Sequence, residues 1–334
     1  VHLFIRARGL VQMGLWFCVV LLVACGPVAA TPPSATATLF AVIVTTPTAS
    51  ATEPATDTGV PPTPLPPTAT GPATEPPSAT VAPPTDTSVP PTPARLPTPD
   101  ALAAGRRVRL PILMYHYVEP WPGVTDVLRQ GLTVRPEDFQ AQMDYLHEHG
   151  YVTVSLYDLI DALALGKPLP ERAVVLTFDD GYRTLLDFAV PIMEPYGYTG
   201  TVFVITQLMD EGFAQYLTWP QAEALYAQGW KIEPHTKTHA DLKGRGRDFQ
   251  LYQMLGSLQT VEAHLGVTPR FLAYPSGHYD DLTLELAAEM NLWGAVTVEA
   301  GRVHTYADRF TLARVRVSGT GGLQDFINGV EGGN

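Results

Sequence analysis

A parallel α/β sheet closed into a barrel is the fold class this sequence predicts, and three observations predict it. Between about residues 107 and 330, strand-like and helix-like patterns alternate seven or eight times, as in chains of βα units. The strands are continuous apolar, β-branched runs, clearest in Val174-Val175-Leu176-Thr177-Phe178, as expected of strands covered on both faces. No Gly-x-Gly-x-x-Gly follows any strand, so a dinucleotide site is not expected. An open doubly wound sheet is the alternative architecture.

Taken in order, the chain begins with an address. Arg6 and Arg8 precede an uncharged apolar run over 9–24, the basic and hydrophobic regions of a secretory signal, too short for a comfortable membrane span. The run closes in Leu22-Val23-Ala24-Cys25-Gly26, which resembles a bacterial lipobox. That resemblance implies a signal over 1–24 and a Cys25 that carries lipid and anchors the chain to the membrane. An ordinary signal with an incidental cysteine is the alternative. Residues 25–106 are Thr-, Pro-, Ala- and Ser-rich, with about twenty of the chain's 32 prolines, and have too few large apolar residues for a core. This segment reads as a disordered, extended stalk. The expected layout is anchor, tether and folded head (107–330) on the extracytoplasmic face of a bacterial cell.

Within the head, 111–116 reads as the first strand. Pro136 opens a helix with Phe139, Met143 and Leu146 on one face, stopped by Gly150. A strand over 151–154 and a helix capped by Ser155 follow. The helix expected over 185–196 contains Pro191, which should kink or stagger it. Strands are expected at 200–205, 230–233, 271–274, 293–298 and 314–317. Helices fit 218–228, 248–265, 282–290 and 323–327. The net charge of −12, with no basic stripe, argues against a nucleic-acid partner. Both cysteines lie near the N-terminus, so the head folds without disulfides or thiolate metal sites. A monomer is expected.

Two clusters carry chemistry. The 174–178 strand ends in Asp179-Asp180-Gly181, two carboxylates and a glycine that allows a turn, where α/β barrels place their reacting groups. An Asp-Gly turn capping the next helix is the bland reading. After the 230–233 strand comes His235-Thr236-Lys237-Thr238-His239, whose histidines share one face if the segment makes a helical turn. Both clusters follow strand ends and so fall on one rim. One carboxylate and two imidazoles make a three-ligand site with open positions, leaving the second carboxylate to act on a bound water. Such a donor set also suits ferrous iron in an oxygenase, although no His-x-Asp is present.

Thr177-Phe178-Asp179-Asp180-Gly181 and His235-Thr236-x-x-His239 resemble the first two motifs of the polysaccharide deacetylase (NodB-homology, carbohydrate esterase family 4) domain. The resemblance implies a distorted (β/α)7–8 barrel, a divalent metal (usually zinc) and removal of N- or O-acetyl groups from sugars. It implies Asp180, His235 and His239 as metal ligands and Asp179 as general base. Leu272-Ala273-Tyr274-Pro275-Ser276-Gly277 departs from the family's Arg-Pro-Pro-Tyr-Gly, so the arginine that steadies the base is missing, with Arg270 as substitute. Leu312-Ala313-Arg314-Val315-Arg316-Val317 lacks the late histidine. Met114-Tyr115-His116-Tyr117-Val118 resembles the poly-β-1,6-N-acetylglucosamine deacetylase branch, which implies His116 as the acid. Independently of that, His116 sits at the end of a predicted strand on the same rim. Backbone N–H groups near 274–277, including Ser276, are expected to line an oxyanion hole. Tyr182, Trp219, Tyr274 and Tyr279 are candidate sugar-stacking surfaces or core residues.

The expected function is a metal-dependent N-deacetylase of a GlcNAc-containing polysaccharide. The alternatives are an O-acetyl esterase on glycans and a carbohydrate-binding domain of the same fold with impaired catalysis.

Overall fold

The computed structural model describes residues 95–123 and 125–332; the signal, Cys25 and most of the stalk lie outside them. Eight strands form one sheet: β1 (Ile112–Tyr115), β2 (Val152–Thr153), β3 (Ala173–Phe178), β4 (Thr201–Val204), β5 (Lys231–Pro234), β6 (Phe271–Ala273), β7 (Gly294–Ala300) and β8 (Leu312–Arg316). Their order is β5-β4-β3-β1-β8-β7-β6, with β2 paired to the start of β3, and every pairing is parallel. The first strand thus lies between the third and the last, with Leu113 opposite Leu176 on one side and Val315 on the other. The barrel is nearly closed. Among the described residues β5 and β6 share no ladder, which leaves one seam.

Alternation along the strands sorts their side chains. Ile112, Val175, Phe203, Phe271, Val296 and Leu312 gather in one apolar cluster with Leu156, Leu159, Ile160 and Leu163 of α3 (Leu156–Leu165). Leu113, Val174, Leu176, Val202 and Val204 pack the other way, with Phe139 and Met143 of α2 (Pro136–Glu148) and Ala222 and Leu225 of α6 (Trp219–Ala227). Burial on both faces is why the strand sequences are unbroken apolar runs. Each such fully buried side chain contributes roughly 1.5–3 kcal/mol.

Ser155 caps α3 reciprocally with Asp158, and Gly166 ends it in the left-handed region. The 185–196 segment is staggered as Pro191 requires: a π-turn (Leu185–Ala189), a short α4 (Val190–Met193) and a 3₁₀ turn (Glu194–Tyr196). The longest helix is α7 (Arg247–Leu265), followed by α8 (Asp281–Glu289) and α9 (Leu323–Glu331). The short α1 (Val127–Leu132), α5 (Thr206–Asp210) and the antiparallel ribbon of 107–109 with 303–305 were not expected from sequence. The packed region also reaches back beyond Arg107: Leu96 packs against the apolar cluster, and the Asp100 N–H donates to the Ala164 carbonyl.

Candidate active site at the barrel rim

The inward face of β3 runs Val175, Thr177, Asp179, apolar at the base and polar at the rim. Asp179 is buried, and Arg314 of β8 grips it: Nη1 donates to Oδ1 and Nη2 to Oδ2, each at 2.7 Å. The guanidinium is itself buried and every nitrogen is engaged, with Nη1 also donating to Thr177 Oγ1 and Nε to the Thr297 carbonyl. Burial pushes the Asp179 carboxyl up, but Arg314 overrides it and holds the group well below the usual carboxylate range. Arg270 does not take this place. Its guanidinium donates to the Asn291 carbonyl, so the expected substitute for the family arginine is corrected to Arg314. A signal for it was present: Arg314 sits two residues from Leu312 on one face of a buried strand, and a buried cation requires a carboxylate.

Asp180 adopts φ 71°, which breaks the alternation that would send adjacent side chains to opposite faces and so keeps both carboxylates at the rim. Gly181 follows with φ 75°, and a Cβ there would meet Val204 Cγ1 at 3.0 Å. Asp180 Oδ1 lies 3.5 Å from His235 Nε2 and 3.4 Å from His239 Nε2. The three ligand-type atoms lie within 4.8 Å of one another. The histidines do not converge by a helical turn. The segment is a loop in which Thr236 (φ 63°) and His239 (φ 58°) are left-handed. With Ser276 (φ 56°), four rim residues other than glycine hold this costly conformation, a concentration typical of functional sites.

The donor set fits a divalent cation. Asp180 Oδ1 is buried without a hydrogen-bond partner, which is unfavourable unless something charged completes it. Separations near 3.5 Å are poor hydrogen bonds, yet they match the edge of a tetrahedron, roughly 3.4 Å for ligand bonds of about 2.1 Å. His235 Nδ1 lies 2.8 Å from the Ala273 carbonyl and can only donate to it, which leaves the Nε2 lone pair facing the cluster. Burial, and then the neighbouring His235, lower the His239 pKa, favouring the neutral ring that a metal requires.

His116 follows β1 and places Nε2 4.0 Å from Asp179 Oδ2, with its side chain 14% exposed. Burial pulls its pKa down, against the opposing pull of the Asp179 and Asp180 charges. The expected aromatic faces are mostly taken. Tyr274 is fully buried, and Trp219 is buried and stacked on His264 at 4.1 Å, so neither presents a ring to a sugar. Tyr182 stacks on Tyr117 at 3.7 Å and on Tyr216 at 5.1 Å. In the 274–277 loop, the Tyr274 N–H donates to Val296 and that of Gly277 to Tyr274, and Pro275 has none. Among the described residues, that leaves the Ser276 amide as this loop's donor to a ligand.

The sequence profile described as polysaccharide deacetylase matches residues 166–294. Bacillus subtilis YxkH, whose name assigns it to the polysaccharide deacetylases, is 31% identical over 210 residues, covering 63% of this chain and 72% of that protein. The poly-beta-1,6-N-acetyl-D-glucosamine N-deacetylase of Staphylococcus epidermidis is 29% identical over 203 residues, covering 56% of this chain and 68% of the relative. Among solved structures, the Streptococcus pyogenes deacetylase PplD in complex with acetate superposes with a TM-score of 0.64 at 30% identity, covering 68% of this chain and 100% of that one. IcaB from Ammonifex degensii superposes with a TM-score of 0.55 at 27% identity, covering 63% of this chain and 91% of that one. With the matched region spanning both the Asp179-Asp180 strand end and the His235–His239 loop, this chain belongs to the polysaccharide deacetylase family.

Proposed function

We propose that this protein is a metal-dependent N-deacetylase of a GlcNAc-containing polysaccharide, acting at the bacterial cell surface. The observation that carries the reading is the unpartnered Asp180 Oδ1 facing two imidazole nitrogens, with Arg314-held Asp179 beside it. Asp180, His235 and His239 would hold the ion, most simply zinc. When bound, such an ion brings the pKa of a water near 7 and polarises an acetyl carbonyl.

The remaining work falls to the chain. Asp179, fixed and ionised by Arg314, accepts a proton from the attacking water at its free lone pairs. The Ser276 N–H is the loop donor available to a developing oxyanion. His116, protonated during the cycle, delivers a proton to the amide nitrogen as the C–N bond breaks, giving acetate and a free amine. An amide needs this protonation more than an ester does, and the histidine facing Asp179 supports N- over O-deacetylation.

The choice of substrate is supported by the relatives named for poly-beta-1,6-N-acetyl-D-glucosamine, which match this chain at 29% identity over 203 residues and 24% over 201. Acetate release from acetylated β-1,6-glucosamine oligomers, chito-oligomers and peptidoglycan fragments tests the proposal. Turnover on the β-1,6 oligomers, abolished by chelation and by Asp179→Asn and restored by zinc, is expected. Turnover that survives both chelation and Asp179→Asn would refute it.

A further inference from the structure

The seam between β5 and β6 is where the barrel lacks a ladder, and it lies beside the candidate metal cluster. Side chains bridge it instead. Glu233 in β5 and His235 just past its end, two apart in sequence, both reach across to β6. The Glu233 carboxylate accepts two successive backbone N–H groups at the start of β6, from Arg270 at 3.0 Å and Phe271 at 2.9 Å, both on Oε2. His235 Nδ1 lies 2.8 Å from the carbonyl of Ala273, at the end of the same strand. One side chain thus accepts from β6 and the next donates to it, together standing in for the absent ladder.

Glu233 is held as firmly as it holds. It is buried, and its Oε1 accepts the Tyr157 hydroxyl of α3 at 2.7 Å. The Tyr157 ring packs edge-on against Phe271 at 4.9 Å and Trp293 at 5.1 Å. A carboxylate on the inward face of a barrel strand, away from the Asp179 pair, therefore has a job that the chemistry at the rim does not use.

We propose that Glu233 is a positioning residue for the metal site: by fixing β6 against β5 it sets the Ala273 carbonyl that orients His235. The inference rests on the reading of Asp180, His235 and His239 as metal ligands. Without the carboxylate, the Arg270 and Phe271 N–H groups lose their acceptor, β6 shifts, and the carbonyl two residues on no longer fixes the imidazole. Removing the support behind a ligating histidine typically weakens metal binding about 10–100-fold.

The test is Co(II) titration of the full chain, followed by its visible absorption, alongside thermal unfolding. Glu233→Ala is expected to bind Co(II) at least about tenfold more weakly, with altered ligand-field bands. Glu233→Gln, whose amide oxygen still accepts both N–H groups, is expected to keep near-native affinity and spectrum. Native Co(II) affinity and bands in Glu233→Ala, even with a lowered melting temperature, would overturn the inference and leave the residue a stabilising contact alone. If Glu233→Ala does not fold, the shorter Glu233→Asp is read in the same way, and native affinity there overturns it. Failure of the unmodified protein to bind Co(II) at all would instead overturn the metal-site reading itself.

Discussion

Asp179 and Asp180 are adjacent in sequence yet occupy opposite electrostatic settings. Asp179 is neutralised by a bidentate arginine, whereas Asp180 has an oxygen with no protein donor. Removing Arg314 would strand a buried carboxylate, so Arg314→Ala is expected to cost about 3–5 kcal/mol in denaturant unfolding and to abolish acetate release. His116→Ala should lower turnover about a hundredfold or more, while zinc affinity by competition titration stays near native. A variant that turns over at full rate would place the proton donor elsewhere. The two carboxylates, the two rim histidines and His116 were legible because each follows a strand-like run, where barrel chemistry collects. For Arg314 only the need for some buried carboxylate was legible, not which one, because its partner lies 135 positions away in the chain.

At the scale of elements, the barrel strands and the longer helices were legible, whereas α1, α5, the 107–109/303–305 ribbon and conformational detail were not. Pro191 forecast an irregular helix, and the structure answers with a π-turn, an α-turn and a 3₁₀ turn in succession. The His235–His239 segment read as a helical turn, but the left-handed residues that shape it respond to tertiary packing that no local pattern encodes. The loop that follows it is tied down by Asp280, which accepts the Gly244 N–H at 2.7 Å and the Gln250 side-chain amide at 3.2 Å, and also caps α8 through the Thr283 N–H. Burial raises its pKa, but these donors prevail and hold it at about 2. Because the folded value is depressed, the stabilisation is fully present above the ordinary carboxylate value near 4 and fades as pH falls towards 2. Asp280→Asn should therefore melt below the unmodified protein at pH 5, and the gap should close on acidification. A gap that is constant between pH 5 and 2 would remove the ionised carboxylate as its cause.

Over the whole molecule, the barrel was legible from the alternation of βα units, and the open doubly wound sheet is excluded by the circular strand order. The seam could not be read from sequence, because whether two strands complete a ring depends on hydrogen bonds between distant segments. The anchor proposed at Cys25 lies outside the described residues and is tested separately. Cys25→Ser should move the protein from the membrane fraction to the soluble one in a fractionated bacterial host, and membrane retention of that variant would argue against lipidation there.

The placement of β1 between β3 and β8 has a consequence for how the protein is made. The ribosome releases His116, Asp179 and both rim histidines well before residue 314, whereas a domain generally folds as a unit. A nascent chain therefore holds Asp179 without its counter-ion, and a neighbouring edge of β1 without its partner, until β8 appears. The Asp179–Arg314 pair is therefore completed only once β8 has docked beside β1.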